Sequence, residues 1–223
     1  MTGHLLVGKW EIKKLRKKDA VIPLEPEAAV TDPYNSYIHL IFRLDDGRML
    51  ALSDLRKFAK AILGRTGEIE ALPELANLGP DALDKKLKFN EFSKLIRSEN
   101  RKIKQVLMDQ EVIAGIGNIY SDDILWLAKI HPFKPANKLS VQELKKLRET
   151  MNKVLNKAVK LRGTSTSDFR DTAGKKGGYT NERLVYQRED EPCPRCGTKI
   201  QRVKIGGRSA HYCPQCQILN PKS

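Results

Sequence analysis

Cys193-Pro194-Arg195-Cys196, sixteen intervening residues, then Cys213-Pro214-Gln215-Cys216: this stretch holds all four cysteines of the 223-residue chain. A C-x2-C pair repeated after a short basic spacer is zinc-ligand spacing, since two such pairs complete a tetrahedral shell of four thiolates. A closed shell leaves no position for water. One Zn2+ held by Cys193, Cys196, Cys213 and Cys216 is therefore expected to support structure and perform no catalysis. Two disulfides, or four unrelated thiols, are the alternatives; the lack of an export signal favours the metal. A tail of about thirty residues cannot bury a sufficient core, so metal binding supplies the folding free energy instead.

The spacer has its own pattern. Between Glu191 and Ser223 stand six Lys or Arg and one acidic residue. Gln201 to Ile205 reads as a strand, Gly206-Gly207 as a tight turn, and Arg208 opens the return strand, giving a β-hairpin with an arginine at its tip. Arg208 is either an ordinary solvated charge or a finger aimed at a phosphate backbone or a minor groove.

Composition agrees with a polyanionic partner. The chain carries 41 Lys+Arg against 27 Asp+Glu, a net charge of +14. Such an excess favours nucleic acid or an anionic membrane surface. The aromatic content of 6% argues against a surface that stacks many single-stranded bases. No apolar run approaches the roughly 20 residues of a membrane span, and the first residues lack the apolar stretch of a signal peptide, so the cytosol is the expected compartment.

Along the chain, residues 1–65 read as β-rich. Tyr37–Leu44 and Met49–Leu52 flank Asp45-Asp46-Gly47-Arg48, an Asp-Gly hairpin signal, and Leu5-Leu6-Val7 reads as a strand that begins in mid-pattern. The charged run Lys13–Lys18 and the proline-bearing stretch Pro23–Pro33 are expected to form a surface excursion. After a connector over 66–80, helices are expected: one capped by Asn90 over Glu91–Arg97, a continuation through Lys102–Leu107, and a third over Ile119–Lys129. A fourth is opened by the capping box Ser140-Val141-Gln142-Glu143, with Leu144, Leu147, Met151, Val154, Ala158 and Leu161 on one core stripe. Gly115-Ile116-Gly117-Asn118 lies between two apolar helical runs. There Asn118 either caps a helix or, with the free N–H groups beside it and Lys104 from the preceding helix, binds a phosphate. Residues 164–181 are polar and glycine-rich without periodicity, the mark of a functional loop or a linker.

Four blocks, in order, resemble the formamidopyrimidine-DNA glycosylase family, the zinc-finger branch of the Fpg/Nei repair superfamily. They are Met1-Thr2-Gly3 with Asp54-Leu55-Arg56-Lys57-Phe58; Leu107-Met108-Asp109 with Ala114-Gly115-Ile116-Gly117-Asn118-Ile119-Tyr120; Gly163 to Phe169 with Gly174 to Gly177 and Val185-Tyr186; and the finger from Arg208 to Gln217. The resemblance implies an α+β multidomain protein. Residues 1–65 would be the C-terminal part of the N-terminal β-sandwich catalytic domain, and 66–80 a connector. A helix–two-turn–helix DNA-binding domain would occupy 81–163, a lesion-capping loop 164–181, and a four-cysteine zinc-finger β-hairpin 182–223.

It also implies roles in base-excision repair on double-stranded damaged DNA, performed as a monomer in the bacterial cytosol and nucleoid. The family flips a damaged base, 8-oxoguanine or formamidopyrimidine, out of the duplex. Met1, Arg56 and Phe58 would fill the hole, Arg56 facing the orphaned cytosine. Lys104, Asn118 and Arg208 would grip phosphates, and Thr164, Ser165, Ser167, Lys175 and Tyr179 would belong to the loop that caps the lesion. The family's glycosylase and AP-lyase chemistry, ending in β,δ-elimination, uses an N-terminal Pro-Glu whose proline amine attacks the sugar. That pair does not open this sequence, so no catalytic residue is assigned; the chain is expected to be a DNA-binding fragment, inactive alone. Leu55, Lys57, Asp123 and Gln187 also depart from the family's usual residues. A non-catalytic, zinc-dependent damaged-DNA binder in its own right is the alternative, and a zinc-ribbon RNA binder a third that leaves Asp54 to Phe58 unexplained.

Overall fold

A computed structural model describes residues 3–14, 16, 19–166 and 168–219. The chain divides into two units: residues 1–62 with 158–182, and residues 63–157 with 183–223. The 164–181 segment thus groups with the β-rich N-terminal part.

In the first unit, β1 (His4–Lys13), β2 (Ala20–Glu25), β3 (Ile38–Arg43) and β4 (Met49–Ser53) form an antiparallel sheet in the order β2-β1-β4-β3. Period-two alternation decides its faces. Leu6, Trp10 and Ala51 turn to one side and are buried with Ala29 of the short helix α1 (Glu27–Thr31), with Val21, Ile38, Ile41 and Met49 packed around them. On the other side Leu5 and Phe42 are 44% and 48% exposed. The β3–β4 hairpin turns where Asp45-Asp46-Gly47 predicts it, with Leu44 N donating to Arg48 O at 2.9 Å.

The expected surface excursion is corrected here. β1 continues to Lys13 and pairs with β2, and α1 then lies on the sheet through Ala29. The charge run obscures this in the sequence, because Val21 and Ile22 are the only strand-like residues between it and the prolines.

The second unit holds α2 (Thr66–Glu70), α3 (Pro73–Ala76), α4 (Phe89–Arg97), α5 (Ile103–Met108), α6 (Asn118–Ala128), α7 (Val141–Lys160, with its last turn in the first unit) and the hairpin β5 (Gln201–Ile205) and β6 (Arg208–Tyr212). Phe92, Ile96, Ile103, Val106, Leu107, Ile124, Leu144 and Leu147 are buried. α4 begins one residue before Asn90, with Lys88 in the N-cap position and Lys88 N donating to the Glu91 carboxylate at 3.0 Å. The Ser140/Glu143 capping box forms as predicted: Ser140 N donates to Glu143 Oε2 at 2.8 Å and Glu143 N to Ser140 Oγ at 3.2 Å. Gln110 staples the turn between α5 and α6, accepting from Gly115 N at 2.9 Å and donating to Ile116 O at 2.9 Å. Among the described residues, no helix is long and apolar enough to cross a membrane.

Candidate nucleic-acid interface and metal centre

The two C-x2-C turns bring four sulfurs within 4.8 Å of one another. Three of the separations are 3.5 Å (Cys196–Cys213), 3.5 Å (Cys196–Cys216) and 3.9 Å (Cys193–Cys216). A tetrahedron with Zn–S bonds of about 2.3 Å has edges of ~3.8 Å, so the cluster fits one structural zinc and does not have the S–S bonds of a disulfide pairing. Burial pushes the Cys213 thiol up to about 12, whereas hydrogen bonding with Thr198 draws Cys196 down to about 6. Zinc takes thiolates, so loading the site expels the proton that burial keeps on Cys213.

The finger is packed onto α6. Trp126 of that helix donates Nε1–H to Cys193 Sγ at 3.4 Å and joins Val185, Cys193, Ile200 and Cys213 in one buried cluster. The Arg195 guanidinium lies 4.0 Å from the Trp126 ring centroid. Gln217, directly after the fourth ligand, is buried with both ends of its amide engaged. It accepts from Cys213 N at 2.9 Å and donates to Ile130 O at 2.8 Å.

Two successive carboxylates of α6 complete the attachment, and both are buried. Asp123 Oδ1 accepts from Leu184 N and Val185 N, each at 3.1 Å, which fixes the chain entering the finger. Asp122 Oδ2 accepts from His211 N and faces His211 Nδ1, each at 2.9 Å, while its Oδ1 takes the Lys104 ammonium at 2.6 Å. Lys104 is fully buried, and Nζ also donates to Asn118 O at 2.9 Å and Ser121 Oγ at 2.8 Å. An ammonium has three N–H donors, and all three are used. The expectation that Lys104 reaches a phosphate is therefore corrected: this lysine is an internal cation. Burial pulls its pKa below the ordinary lysine value, opposed by Asp122.

Asn118 and Arg208 do come together. Gly206 and Gly207 both take positive φ, +56° and +75°, the backbone of a two-residue hairpin turn, and this presents an exposed Arg208. Arg208 and Asn118 line one cavity of about 330 Å3 with Arg202, Ser209, His211, Glu189 and others. Asn118 is the first residue of α6, and its Oδ1 is buried without a hydrogen-bond partner among the described residues. Arg202 is engaged by Glu189 at 3.3 Å, while Arg208 makes no ion pair among the described residues. A helix N-terminus beside an unpaired guanidinium is chemistry for one anion. On the cavity wall, Gln187 holds φ +55°, a left-handed backbone that glycine adopts at no steric cost.

In the first unit, Asp54 organises the turn that follows β4. Its carboxylate accepts from Arg56 N at 3.1 Å, and from Phe58 N and Ala59 N at 2.8 Å each. The Phe58 ring is 70% exposed, with the Arg56 guanidinium 4.5 Å from its centroid. Among the loop residues, Thr164 bridges to Gly178, and Ser165 N meets Thr180 Oγ1 at 3.1 Å. Tyr179 is buried and Lys175 exposed. Tyr179 is thus a packing residue at the foot of the loop. Met1 and Ser167 lie outside the described residues.

Sequence reasoning misses Asp122, Asp123, His211 and Gln217 as site residues. Spacing could flag Asp122-Asp123 as a polar pair in an apolar helix, but nothing local marks His211 or Gln217.

Two outcomes are expected. Lys104→Met leaves Asp122 charged, buried and half-paired. It should cost about 3–5 kcal/mol in chemical denaturation of the zinc-loaded protein, with much of that recovered by adding Asp122→Asn. Unchanged stability with weakened DNA binding would instead put Lys104 on a phosphate. Cys213→Ser should lower bound zinc from one equivalent to none by elemental analysis and unfold the finger; retained stoichiometric zinc would contradict the four-cysteine site.

Comparisons with known proteins agree with this geometry. Residues 78–170 match the formamidopyrimidine-DNA glycosylase H2TH domain, and residues 190–218 the zinc finger found in FPG and IleRS. Formamidopyrimidine-DNA glycosylase of Ligilactobacillus salivarius (strain UCC118) is 40% identical over 189 residues, which are 85% of this chain and 68% of that protein. The same-named protein of Roseiflexus sp. (strain RS-1) is 37% identical over 212 residues, 95% of this chain and 76% of its own. Lactococcus lactis Fpg, solved in complex with DNA containing an abasic site, superposes with a TM-score of 0.78 at 32% identity, over 98% of this chain and 73% of its own. MutM (Fpg) from Thermus thermophilus gives 0.77 at 32% identity, over 99% and 77%. The chain belongs to the formamidopyrimidine-DNA glycosylase family of base-excision repair.

Proposed function

We propose that this chain grips lesion-bearing duplex DNA and, tested by itself, does not excise the base. The observation that carries the first half is the cavity shared by Asn118 and Arg208. In this reading a backbone phosphate sits there, held by the guanidinium and the free N–H groups of α6. The exposed Phe58, with Arg56 stacked on it, suits a wedge that enters the duplex where the damaged base has left, with Arg56 turned to the orphaned cytosine; Met1 is assigned to the same hole-filling role by resemblance alone. Residues 164–181, to which Ser167 belongs, close over the flipped base, with Thr164, Ser165 and Tyr179 holding the foot of the loop and Lys175 exposed. Solved relatives whose DNA contains an abasic site or Fapy-dG support this assignment. The segments 1–65, 66–80, 81–163, 164–181 and 182–223 are proposed as the functional divisions, and the working form as a cytosolic monomer.

The second half rests on chemistry. The resemblance assigns the attack on C1′ to an N-terminal proline amine, which forms a Schiff base as the base departs. No residue of this chain matches that proline, so the attack is assigned to none of its side chains. Zinc has no part in these steps; Cys193, Cys196, Cys213 and Cys216 use every tetrahedral position.

Borohydride trapping on duplex DNA with 8-oxoguanine opposite cytosine separates the two halves. Saturable binding without a covalent adduct is the expected result; an adduct would show that an amine of this chain still attacks C1′, and absence of binding would remove the gripping role. Arg208→Ala should weaken binding about tenfold at low salt, roughly equally for damaged and undamaged duplex. It should also reduce the slope of log K against log salt by about one. Wild-type affinity would make the hairpin tip a solvated face.

A further inference from the structure

The loop proposed to cap the lesion contains a side chain for which that role has no use. Arg170 is 1% exposed, although it lies in a polar segment directly after the exposed Phe169. Its Nε donates to Asp32 Oδ2 at 2.6 Å and its Nη2 to Asp32 Oδ1 at 3.2 Å, a two-point pairing, and Nη1 donates to Phe169 O at 2.8 Å. The guanidinium lies 4.9 Å from the centroid of the Tyr34 ring. A buried guanidinium is tolerated only where its donors are met, and this one is met by a segment 138 residues away in sequence.

A second attachment is independent of the first. Asn35 is fully buried, donates from Nδ2 to Gly174 O at 3.1 Å and to Ala28 O at 2.8 Å, and engages His4 Nε2 through Oδ1 at 2.9 Å. Gly174 has φ +75°, and a Cβ there would stand 2.8 Å from Asn35 Nδ2 and 3.2 Å from Ala28 Cβ. The loop thus reaches Asn35 at the one residue type that permits both the left-handed backbone and the close approach. A third attachment is to the sheet. Val7 N donates to Thr172 O at 2.8 Å, on a stretch of β1 that has not yet met β2, whose pairing starts at Lys9. Inside the loop, Asp171 Oδ1 accepts from Ala173 N at 3.0 Å and Lys175 N at 2.8 Å, and its Oδ2 pairs with Arg162 at 2.9 Å.

We infer that Asp32 and Asn35 are positioning residues: through Arg170 and Gly174 they hold residues 168–178 of the loop in one set conformation before any DNA is bound. The inference rests on the capping role proposed above. Its consequence is discrimination. A loop that is already shaped loses little conformational freedom when it closes over a flipped base, so the gain on closing goes to the lesion that fits it. The segment between β2 and β3, which carries no residue assigned to the DNA, thereby becomes part of lesion recognition.

Two measurements on the zinc-loaded full chain test this. In the wild type without DNA, hydrogen exchange followed by NMR should find the amides of Val7, Asp171 and Gly174 slowed at least about a hundredfold from their intrinsic rates; intrinsic exchange at all three would overturn the lock. Asp32→Asn keeps an oxygen for Tyr34 N but removes the ionic two-point partner of Arg170. Tryptic cleavage after Lys175 or Lys176 should then rise at least about tenfold. The ratio of affinities for 8-oxoguanine duplex over undamaged duplex should fall several-fold, with affinity for undamaged duplex unchanged. Cleavage at the wild-type rate would overturn the lock. Faster cleavage with an unchanged ratio would leave the lock standing and remove the capping role. Should the variant not fold, the wild-type exchange experiment still decides.

Discussion

One buried carboxylate holds the second unit in register. Asp122 uses one oxygen for Lys104 and the other for His211. Taking these groups out of water carries a desolvation cost of several kcal/mol per ion, which is offset only if every donor is met at good geometry. That condition is satisfied, and it makes the arrangement unforgiving. Lys104 belongs to α5, Asp122 to α6 and His211 to β6, so one chain of polar contacts fixes two helices and the finger hairpin together. Arg208 begins the same strand as His211, and Asn118 begins the same helix as Asp122. The position of the guanidinium relative to the helix N-terminus is therefore inherited from a salt bridge that does not involve Arg208 and that also grips Asn118 O through Lys104.

Zinc and Trp126 then do for the finger what a core does for a larger domain. The hairpin contributes Ile205, Ala210 and Tyr212 to the buried set, too little apolar surface to fold by itself. The shell of four cysteines closes the two turns, and Trp126 binds the shell to α6 through Cys193. Gln217 adds a polar latch to Ile130 just past the end of that helix. Loss of zinc should therefore disturb the cavity lined by Asn118 and Arg208 as well as the finger.

The first unit solves a different problem. Its sheet is covered on one face by α1 and the segment after it, and the side chains that would carry DNA chemistry stand on turns at its margins. Turns have few contacts to define them, so each is organised by a single acidic residue accepting several backbone N–H groups. Asp54 does this beneath Arg56 and Phe58, and Asp171 within residues 171–175 of the loop. The burial of Asp54 and the two-point hold on Arg170 convert otherwise loose segments into surfaces with a fixed presentation.

Patterns that act over a few residues were legible in the sequence. The spacing of the four cysteines, the Gly206-Gly207 hairpin, the Asp-Gly turn before Met49 and the Ser140/Glu143 box all formed as read, because their physics is local: ligand spacing, positive φ, and reciprocal capping between neighbours. The family was legible for the same reason, as its blocks are short and ordered. What the sequence could not decide was the company each polar side chain keeps. Lys104 reads like any basic residue on a DNA-binding protein until Asp122, eighteen positions later, is seen to consume it. Arg170 reads like a loop cation until Asp32 is found beside it. Burial is a property of the packed chain, and the sign of a charged residue's role, outward to a phosphate or inward to a partner, follows from burial and from nothing in the residue itself.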